Sequence, residues 1–168
     1  MSQTSDASAE PTRIRTTWDG LPISDEPPFG ATVVVYRVRG AKPEVLLLHR
    51  AHHGPDYAGD WAWTPPAGSR LPGESIDHRA RRELREETGL ELALELTDCG
   101  NAEWPHYTAR APLDAAVVLD AEHDRFEWVV ADEAPERCLP DLSQLPLRAV
   151  VAVLKIEIRA SKVAHLPL

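Results

Sequence analysis

Three glutamates lie close together in a segment whose residue pattern is helical. Glu83, Glu86 and Glu87 are spaced i, i+3 and i+4, so their side chains occupy neighbouring positions on one helix surface. A helical wheel places Glu83 and Glu87 in the sector of the apolar side chains, which include Ala80 and Leu84. Burial and mutual repulsion would force such carboxylates to take up protons unless a cation lay between them. The pattern therefore indicates a divalent-cation site, and carboxylate oxygens favour Mg²⁺ or Mn²⁺.

A solvated helix laced with ion pairs is the alternative interpretation of this segment. Arg79 precedes Glu83 by four residues, and Arg82 precedes Glu86 by the same interval, a spacing at which opposite charges stabilise a helix. A cluster that served only as a solvated surface should avoid the apolar side of the helix. The wheel therefore favours a metal site over a purely structural charge network.

Residues typical of the start and the end of a helix lie on either side of these carboxylates. Ser75 is a suitable N-cap residue, and Gly89 can adopt the left-handed conformation that ends a helix, so a helix is predicted over residues 75–88. A loop rich in glycine and proline, residues 52–73, precedes the helix and is long for a connection without regular structure. Long ordered loops usually carry functional groups.

Apolar runs on both sides of this region predict strands and a second helix. The candidate strands are residues 31–36, 44–49, 90–96, 115–119 and 126–130. Near the C-terminus, apolar residues recur at roughly helical spacing, namely Leu145, Val150, Val151, Leu154 and Ile158. Strands and two helices therefore interleave along the chain, without an internal repeat.

The overall composition limits the functional classes. The 168 residues are 43% hydrophobic, which is enough to build one sizeable core. A net charge of -9 argues against a nucleic acid polymer as partner, because such binding depends on clustered Lys and Arg. No apolar run approaches the roughly 20 residues of a membrane span. We therefore expect a soluble protein without a membrane partner.

The N-terminal segment and the cysteines indicate the cellular compartment of the protein. Residues 1–28 are polar, proline-rich and free of apolar runs, so we expect a flexible arm that is not a signal peptide. Cys99 and Cys138 lack the spacing of a zinc site and the density of a disulfide scaffold. A reducing, cytoplasmic location is the expectation. The sequence leaves the oligomeric state open, a dimer included.

Residues 68–90 carry a motif more specific than the helix pattern. They read Gly, five residues, Glu, seven residues, then Arg-Glu-apolar-X-Glu-Glu-X-Gly-apolar. This arrangement resembles the box of the Nudix hydrolase family at every defined position. The resemblance extends over about residues 29–160 and includes the approach Trp63-Thr-Pro-Pro-Ala-Gly68.

The resemblance implies an α/β fold, the Nudix fold, built as an α/β/α sandwich with a mixed β-sheet over residues 29–168. It also implies a metal-dependent enzyme that hydrolyses a diphosphate linkage in a small nucleotide-like substrate. Metal binding is expected at Gly68, through its carbonyl, and at Glu83, Glu86 and Glu87. Glu83 can also serve as or orient the base, with Arg82 orienting the carboxylates. Glu74 would brace the loop, and Gly89 would end the helix.

Two positions near the box depart from the family's usual residues. Ala67 stands where the family often has the first glycine of a pair, and Leu71 stands where it commonly has glutamate. Leu71 removes a carboxylate that could bind a further metal or brace the loop. The number of metal ions is therefore left open.

Several candidate residues lie outside the box. Glu122 precedes a predicted strand, in a region where relatives place a loop carboxylate that binds metal or acts as base; a solvated turn residue is the alternative. Arg50 lies at a strand end where relatives contact phosphate, and Arg70 is a weaker candidate for substrate binding. The tryptophans that could stack on a base, or simply be structural, are Trp61, Trp63 and Trp104.

The sequence favours a nucleoside polyphosphate or dinucleoside polyphosphate as substrate, because the arrangement from Glu122 to the C-terminal helix is similar to relatives of that kind. Pro105 and Tyr107 loosely match signals of different substrate classes and decide nothing. The alternatives are a pyrophosphatase acting on ADP-ribose or a nucleotide sugar, and a non-catalytic nucleotide-sensing module. A sensing module would usually have lost carboxylates of the box, and all three are present here.

Overall fold

The structure, a computed structural model, describes residues 15–17 and 19–163. The expected flexible arm therefore lies outside the described residues at positions 1–14 and 18. Of the rest of that segment, residues 24–28 approach the Arg70 side chain, as detailed below. The extent of the arm stays a prediction.

Seven strands form one mixed sheet, and three helices accompany it in the described chain. The strands are β1 (Gly30–Arg39), β2 (Lys42–Arg50), β3 (Trp63–Thr64), β4 (Ala67–Ser69), β5 (Glu95–Leu96), β6 (His106–Arg110) and β7 (His123–Val130). The helices are α1 (Ile76–Thr88), α2 (Ala134–Arg137) and α3 (Asp141–Val163). None of these helices has the length and apolar content needed to cross a membrane.

Strand β1 is the centre of the sheet. It pairs antiparallel with β2 and β4 and parallel with β6, so it makes the sheet mixed. Strand β2 pairs antiparallel with β7, which brings the start of β7 beside Arg50 at the end of β2. The pairing of β4 with β1 places Gly68 opposite Ala31. Two loops distant in sequence are thereby fixed at one end of the sheet.

The alternating side chains of β1 and β2 build a separate core on each face of the sheet. Val33 and Leu46 face α1 and pack in a cluster with Leu84. Val34 and Leu47 face the other way, in a cluster that includes residues of α3. A period of two in strands puts successive side chains on opposite faces, which explains two cores from one hairpin. The α/β/α sandwich implied by the family resemblance is therefore confirmed.

Two of the predicted strands differ from the structure. Residues 115–119 form no ladder; instead they run extended, with Ala115, Val117 and Leu119 packed against the α1-side core. Of residues 90–96 only Glu95–Leu96 is a strand. Strand β6 was not predicted, because His106–Arg110 is short and largely polar in sequence. Alternation of apolar residues signals a half-buried extended chain, whereas hydrogen bonding to a neighbour is decided by the tertiary fold.

Candidate active site

Helix α1 is held at both ends by the residues that the sequence suggested. The Ser75 side chain accepts a hydrogen bond from the His78 backbone N–H at 3.2 Å. Gly89 adopts φ 69°, and its N–H donates to the Arg85 carbonyl. A left-handed residue at this position favours glycine, because a Cβ would be strained there. Because both ends of the helix are fixed, the same face of the helix packs against the sheet throughout.

The three helix glutamates are not equivalent in the folded protein. The side chains of Glu83 and Glu87 are 10% and 5% exposed, whereas that of Glu86 is 50% exposed. This agrees with the helical wheel, which placed the first two in the apolar sector. The Glu86 carboxylate accepts a hydrogen bond from Arg82 Nη1 at 2.9 Å. Glu83 and Glu87 therefore form the buried part of the site, with Glu86 at its rim.

Gly68 of β4 lies directly against Glu83. A Cβ added at this position would meet Glu83 Oε1 and Arg79 Nη2 at only 2.1 Å each. A side chain at this position would have to displace the Glu83 carboxylate and the Arg79 guanidinium, so the close contact between strand and helix favours glycine. The backbone of β4 thereby lies against a buried carboxylate, and the role of the Gly68 carbonyl in metal binding stays a prediction.

Glu83 is a buried acid with one carboxylate oxygen left without a hydrogen bond. Arg79 Nη2 lies 2.5 Å from Glu83 Oε2, yet the groups are not aligned as a hydrogen bond and Oε2 is a buried atom without a donor. Burial raises the pKa of Glu83 to about 7, although the guanidinium groups of Arg79 and Arg82 oppose the shift. A buried oxygen that is paired with Arg79 but accepts no hydrogen bond is incompletely satisfied, so this atom is suited to a further cation.

Glu87 is buried more deeply and has two neighbours from other elements. Its Oε2 accepts a hydrogen bond from the Ala67 backbone N–H at 3.1 Å. Its Oε1 lies 4.0 Å from Nε2 of His123, at the start of β7. Burial, then the charge of Glu83, raises the pKa of Glu87 well above its ordinary value. Two adjacent carboxylates with raised pKa values are typical of a functional site.

Arg82 joins the box loop to the helix. It donates from Nε and Nη2 to the two oxygens of Glu74, at 2.8 and 3.1 Å, and from Nη1 to Glu86. Glu74 also accepts from the Leu71 backbone N–H and pairs with His78. Burial by itself would raise the pKa of Glu74, but these hydrogen bonds lower it to about 2. Arg82 therefore contacts both Glu74 and Glu86, and the bracing role of Glu74 and the orienting role of Arg82 stay predictions.

Glu122 lies in the loop before β7, half-buried. Its backbone N–H donates to Asp120 Oδ1 at 3.2 Å. Burial raises the pKa of Glu122, and the nearby charge of Asp120 adds to the shift. The charge of Glu122 in turn raises the pKa of Glu83, so the two carboxylates are electrostatic neighbours. The fold thus brings the loop carboxylate to the helix site, and its role as base or ligand stays a prediction.

Arg50 connects this acidic cluster to a cavity. Its charge lowers the pKa values of both Glu87 and Glu122, and its Nε is buried without a hydrogen bond. Arg50 and Gly68 also line a cavity of about 470 Å³. This size is within the range of small-molecule sites. A cavity of about 450 Å³ lies against the other side of α1, lined by Arg85 but not by Gly68, so size alone does not identify the site.

The tryptophans suggested as stacking residues separate into two kinds. Trp63 is buried in the α3-side core. Trp61 and Trp104 line the 470 Å³ cavity. Trp61 is 50% exposed and adopts φ 62°, a strained conformation for a bulky residue, while Trp104 Nε1 donates to Thr32 Oγ1 at 2.9 Å. The cavity therefore has two aromatic walls and one cationic group.

Arg70 occupies a position that does not fit the expected contact with substrate. Its guanidinium donates to Pro28 O at 2.6 Å and to Glu74 O, Ser24 Oγ and Glu26 O at 2.7 Å each. These hydrogen bonds occupy the planar group on all sides. The geometry makes Arg70 a tie between residues 24–28 and the box loop, and its role as a substrate ligand stays a prediction that these contacts disfavour.

The residues present fit a divalent cation, although the described residues contain no group of three acidic, His or Cys side chains already gathered as ligands. Glu83 Oε2 is buried without a donor, and the Gly68 backbone is pressed against the same carboxylate. The donors are hard oxygens, as Mg²⁺ and Mn²⁺ prefer, and Mg²⁺ usually keeps several waters beside one or two carboxylates. Glu86 would have to leave Arg82 to join them.

Three neighbours of the site were not assigned a role from the sequence. Arg79 is paired with Glu83, and Asp120 is hydrogen-bonded to His123, whose Nε2 faces Glu87. Arg79 was recognised only as an ion-pair partner at i,i+4 spacing. Asp120 and His123 are spaced i,i+3 before a strand, which is too common a pattern to identify a site.

The sequence is similar to a known protein family and to several curated proteins. The family model described as NUDIX domain matches residues 28–150. An octanoyltransferase from Myxococcus xanthus is 39% identical over 127 residues, which are 67% of this chain but only 34% of that protein. The chain therefore spans about a third of that relative's length. A bis(5'-nucleosyl)-tetraphosphatase [asymmetrical] from Rattus norvegicus is 33% identical over 117 residues, covering 60% of this chain and 74% of the relative.

Solved structures show the same architecture. A C. elegans Ap4A hydrolase binary complex matches with a TM-score of 0.60 at 25% identity, covering 74% of this chain and 96% of that chain. The E. coli dihydroneopterin triphosphate pyrophosphohydrolase matches with a TM-score of 0.59 at 21% identity, covering 77% and 98%. The second likeness concerns the fold alone.

Proposed function

The chain belongs to the NUDIX family, and on that premise we propose that it is a hydrolase that uses Mg²⁺ or Mn²⁺ to cleave a diphosphate linkage in a dinucleoside polyphosphate or nucleoside polyphosphate. The observation that carries the proposal is the buried pair Glu83 and Glu87 against the glycine backbone of β4, with Glu83 Oε2 lacking a donor. A structural helix has no reason to bury two carboxylates side by side.

The cation would be held by Glu83, Glu87 and the Gly68 carbonyl, with Glu86 joining from the rim. When bound, it would neutralise phosphate charge and lower the pKa of a bound water. In the hydrolysis, a water oxygen bonds to phosphorus, the bridging P–O bond breaks, and the leaving phosphate departs with its bonding electrons. Glu83 or Glu122 would accept the proton of the attacking water, because both are carboxylates with raised pKa values close to each other.

The other residues of the site would act on the phosphate chain and the nucleoside. Arg50 is a cation between the carboxylates and the cavity, suited to phosphate oxygens. Trp61 and Trp104 offer aromatic surfaces at the cavity wall, suited to stacking on a base. The names of the rat and C. elegans relatives support a dinucleoside tetraphosphate as substrate.

The test is product analysis with purified full-length chain. Dinucleoside tetraphosphate, nucleoside triphosphates, ADP-ribose and nucleotide sugars would each be incubated with Mg²⁺ or Mn²⁺, and the products separated. We expect unequal cleavage of the dinucleoside tetraphosphate into a triphosphate and a monophosphate, with turnover abolished by a chelator. The same preparation carrying Glu83→Gln is the control for contaminating enzymes, and it should be slower by about 10²-fold.

The alternatives correspond to different results of the same assay. Preferential turnover of ADP-ribose or a nucleotide sugar would replace the proposed substrate class with the second one. Nucleotide binding without turnover in either metal would identify a sensing module and overturn the hydrolase proposal.

A further inference from the structure

We propose that His123 is a nitrogen ligand of the divalent cation, shared with Glu87, so that the site differs from an all-oxygen magnesium site. This inference rests on the metal dependence proposed above. It concerns a residue outside the box, placed beside the helix only by the pairing of β7 with β2.

Hydrogen bonding determines which nitrogen of the imidazole carries the proton. His123 Nδ1 lies 3.0 Å from Asp120 Oδ1. An ionised carboxylate only accepts hydrogen bonds, so Nδ1 must carry the hydrogen and Nε2 keeps its lone pair. A carboxylate behind a histidine is the arrangement that orients imidazole ligands in metal sites. The hydrogen bond to Asp120 therefore leaves the lone pair of His123 Nε2 available to bind a cation.

The free nitrogen faces the buried carboxylate rather than the hydrophobic core. His123 Nε2 lies 4.0 Å from Glu87 Oε1, beyond hydrogen-bond distance, and the side chains are only 2% and 5% exposed. Glu87 Oε2 is already occupied by the Ala67 N–H, so Oε1 is the oxygen left for a cation. Two lone pairs facing each other across a buried gap repel unless something positive lies between them.

The distance also suits two donors of one ion. Bonds of about 2.1 Å place two donors of one octahedral ion about 3.0 Å apart when they are neighbours and about 4.2 Å apart when they lie on opposite sides. The observed 4.0 Å lies between these two distances, so neither side chain needs a large movement. Water and phosphate oxygens would complete the shell, as is usual for cations bound by few protein groups.

A nitrogen donor changes which metal the site prefers. Imidazole binds transition metals better than it binds Mg²⁺, and affinities for most sites rise from Mn²⁺ along the series to Cu²⁺. A site with one imidazole and hard carboxylates should therefore bind Mn²⁺ more tightly than Mg²⁺. Removal of the imidazole should reduce this preference while leaving the carboxylates in place.

The experiment is pulsed electron paramagnetic resonance of the full-length chain with Mn²⁺ and no nucleotide. We expect a ¹⁴N coupling on bound Mn²⁺ that changes to a ¹⁵N coupling when the protein is labelled with ¹⁵N-histidine. This measurement needs no mutation and does not depend on turnover. Bound Mn²⁺ without any histidine nitrogen coupling would overturn the ligand assignment while leaving the hydrolase proposal intact. Absence of bound Mn²⁺ would also overturn the ligand assignment, and the turnover assay above would still decide the hydrolase proposal.

A variant assigns the nitrogen to one histidine. His123→Gln should lose the coupling and weaken Mn²⁺ binding by about 10-fold or more, with a smaller effect on Mg²⁺. The matched control is His106→Gln, because His106 is similarly buried but hydrogen-bonds through Nδ1 to the Trp104 carbonyl. The control should keep both the coupling and the Mn²⁺ affinity. A coupling that survives in His123→Gln would contradict the proposal.

Discussion

Burial divides the three glutamates of α1 into groups with different chemistry. Glu86 is half exposed and ion-paired, so its charge is stabilised by water and Arg82. Glu83 and Glu87 are buried, and their raised pKa values reflect a site that favours bound positive charge. At the scale of single residues, removal of charge should therefore affect activity and stability in opposite directions.

The first prediction concerns Glu87. Glu87→Gln should reduce turnover by about 10²-fold or more, because the neutral amide binds a cation poorly. The free energy of unfolding at neutral pH should stay the same or rise, because a neutral group is cheaper to bury and its oxygen can still accept from the Ala67 N–H. Turnover and urea unfolding would be measured side by side. Glu91→Gln, an exposed position just beyond the helix, is the control and should change neither.

A Glu87→Gln variant that folds and retains near wild-type turnover with Mg²⁺ would refute the assignment of Glu87 to the metal. A variant that unfolds would instead show that the carboxylate is needed for the fold.

The second prediction separates the two candidate bases. If Glu122 acts on the attacking water or binds a further metal, Glu122→Gln should lower turnover by about 10²-fold with little change in stability. A merely solvated loop residue should change turnover by less than about threefold. Because burial and Asp120 already raise the pKa of Glu122, the first result is the expected one. Turnover of Glu122→Gln and Glu83→Gln at saturating Mg²⁺ makes the comparison, and a normal Glu122 variant would leave Glu83 as the base.

At the scale of elements, the ion pair between Arg82 and Glu74 is a central contact between the box loop and α1. Arg82 donates hydrogen bonds to both carboxylate oxygens of Glu74, and the Leu71 backbone N–H donates another to the same carboxylate from within the loop. Because Glu83 follows Arg82 directly, loss of this ion pair should also disturb the orientation of the helix face that carries Glu83 and Glu87. The Glu74 side chain is 8% exposed, so the pair is protected from water.

The third prediction is a dependence of stability on acid. The pKa of Glu74 is about 2 in the folded chain against an ordinary value of 4.5, so its ionised form stabilises the fold fully above pH 4.5. This contribution is lost as the pH falls from 4.5 towards 2. Glu74→Gln should therefore lower the free energy of unfolding by about 2 kcal/mol at pH 7, allowing for partial screening. The difference from wild type should shrink by more than half by pH 3.

Urea unfolding of both proteins between pH 7 and pH 3 measures this difference. Glu133→Gln, an exposed carboxylate beside α2, serves as control and should show no pH-dependent difference. If the free energies of unfolding of wild type and Glu74→Gln differed by the same amount at all pH values, the ion-pair explanation would be contradicted.

At the scale of the whole molecule, Arg70 joins the described part of the N-terminal segment to the NUDIX domain. Among the described residues, three of its four acceptors belong to Ser24, Glu26 and Pro28. The described residues before position 21 supply none of these acceptors. Arg70 therefore ties residues 24–28 to the domain, and the extent of the arm stays a prediction.

The fourth prediction compares two truncations. Deletion of residues 1–20 should leave turnover within about twofold of wild type, because the acceptors of Arg70 remain. Deletion of residues 1–28 removes three acceptors and should lower the free energy of unfolding by about 2 kcal/mol, since a half-buried cation loses its hydrogen bonds. Thermal unfolding and turnover of both chains would be measured. Equal stability of the two truncations would show that the hydrogen bonds of Arg70 to residues 24–28 do not stabilise the fold. A large loss of turnover on deletion of residues 1–20 would show that this segment contributes to the site.

Local features were predictable because short-range geometry determines them. The helix over residues 76–88, its cap at Ser75, its end at Gly89 and the burial of Glu83 and Glu87 follow from a helical period and capping chemistry within one segment. The family motif added the sandwich fold and the positions of the metal-binding candidates. The sequence by itself therefore determined the carboxylate face and the class of fold.

Long-range pairing decided the rest of the site. His123 reaches Glu87 only because β7 pairs with β2, and Gly68 reaches Glu83 only because β4 pairs with β1. The sequence also misplaced a strand at residues 115–119 and missed β6, because apolar alternation reports burial but not the choice of hydrogen-bonding neighbour. The use of Arg70 as a tie rather than a phosphate contact depends on carbonyl groups more than 40 residues away in the chain. Such partners are selected by packing of the complete sheet and helices, which no local pattern encodes.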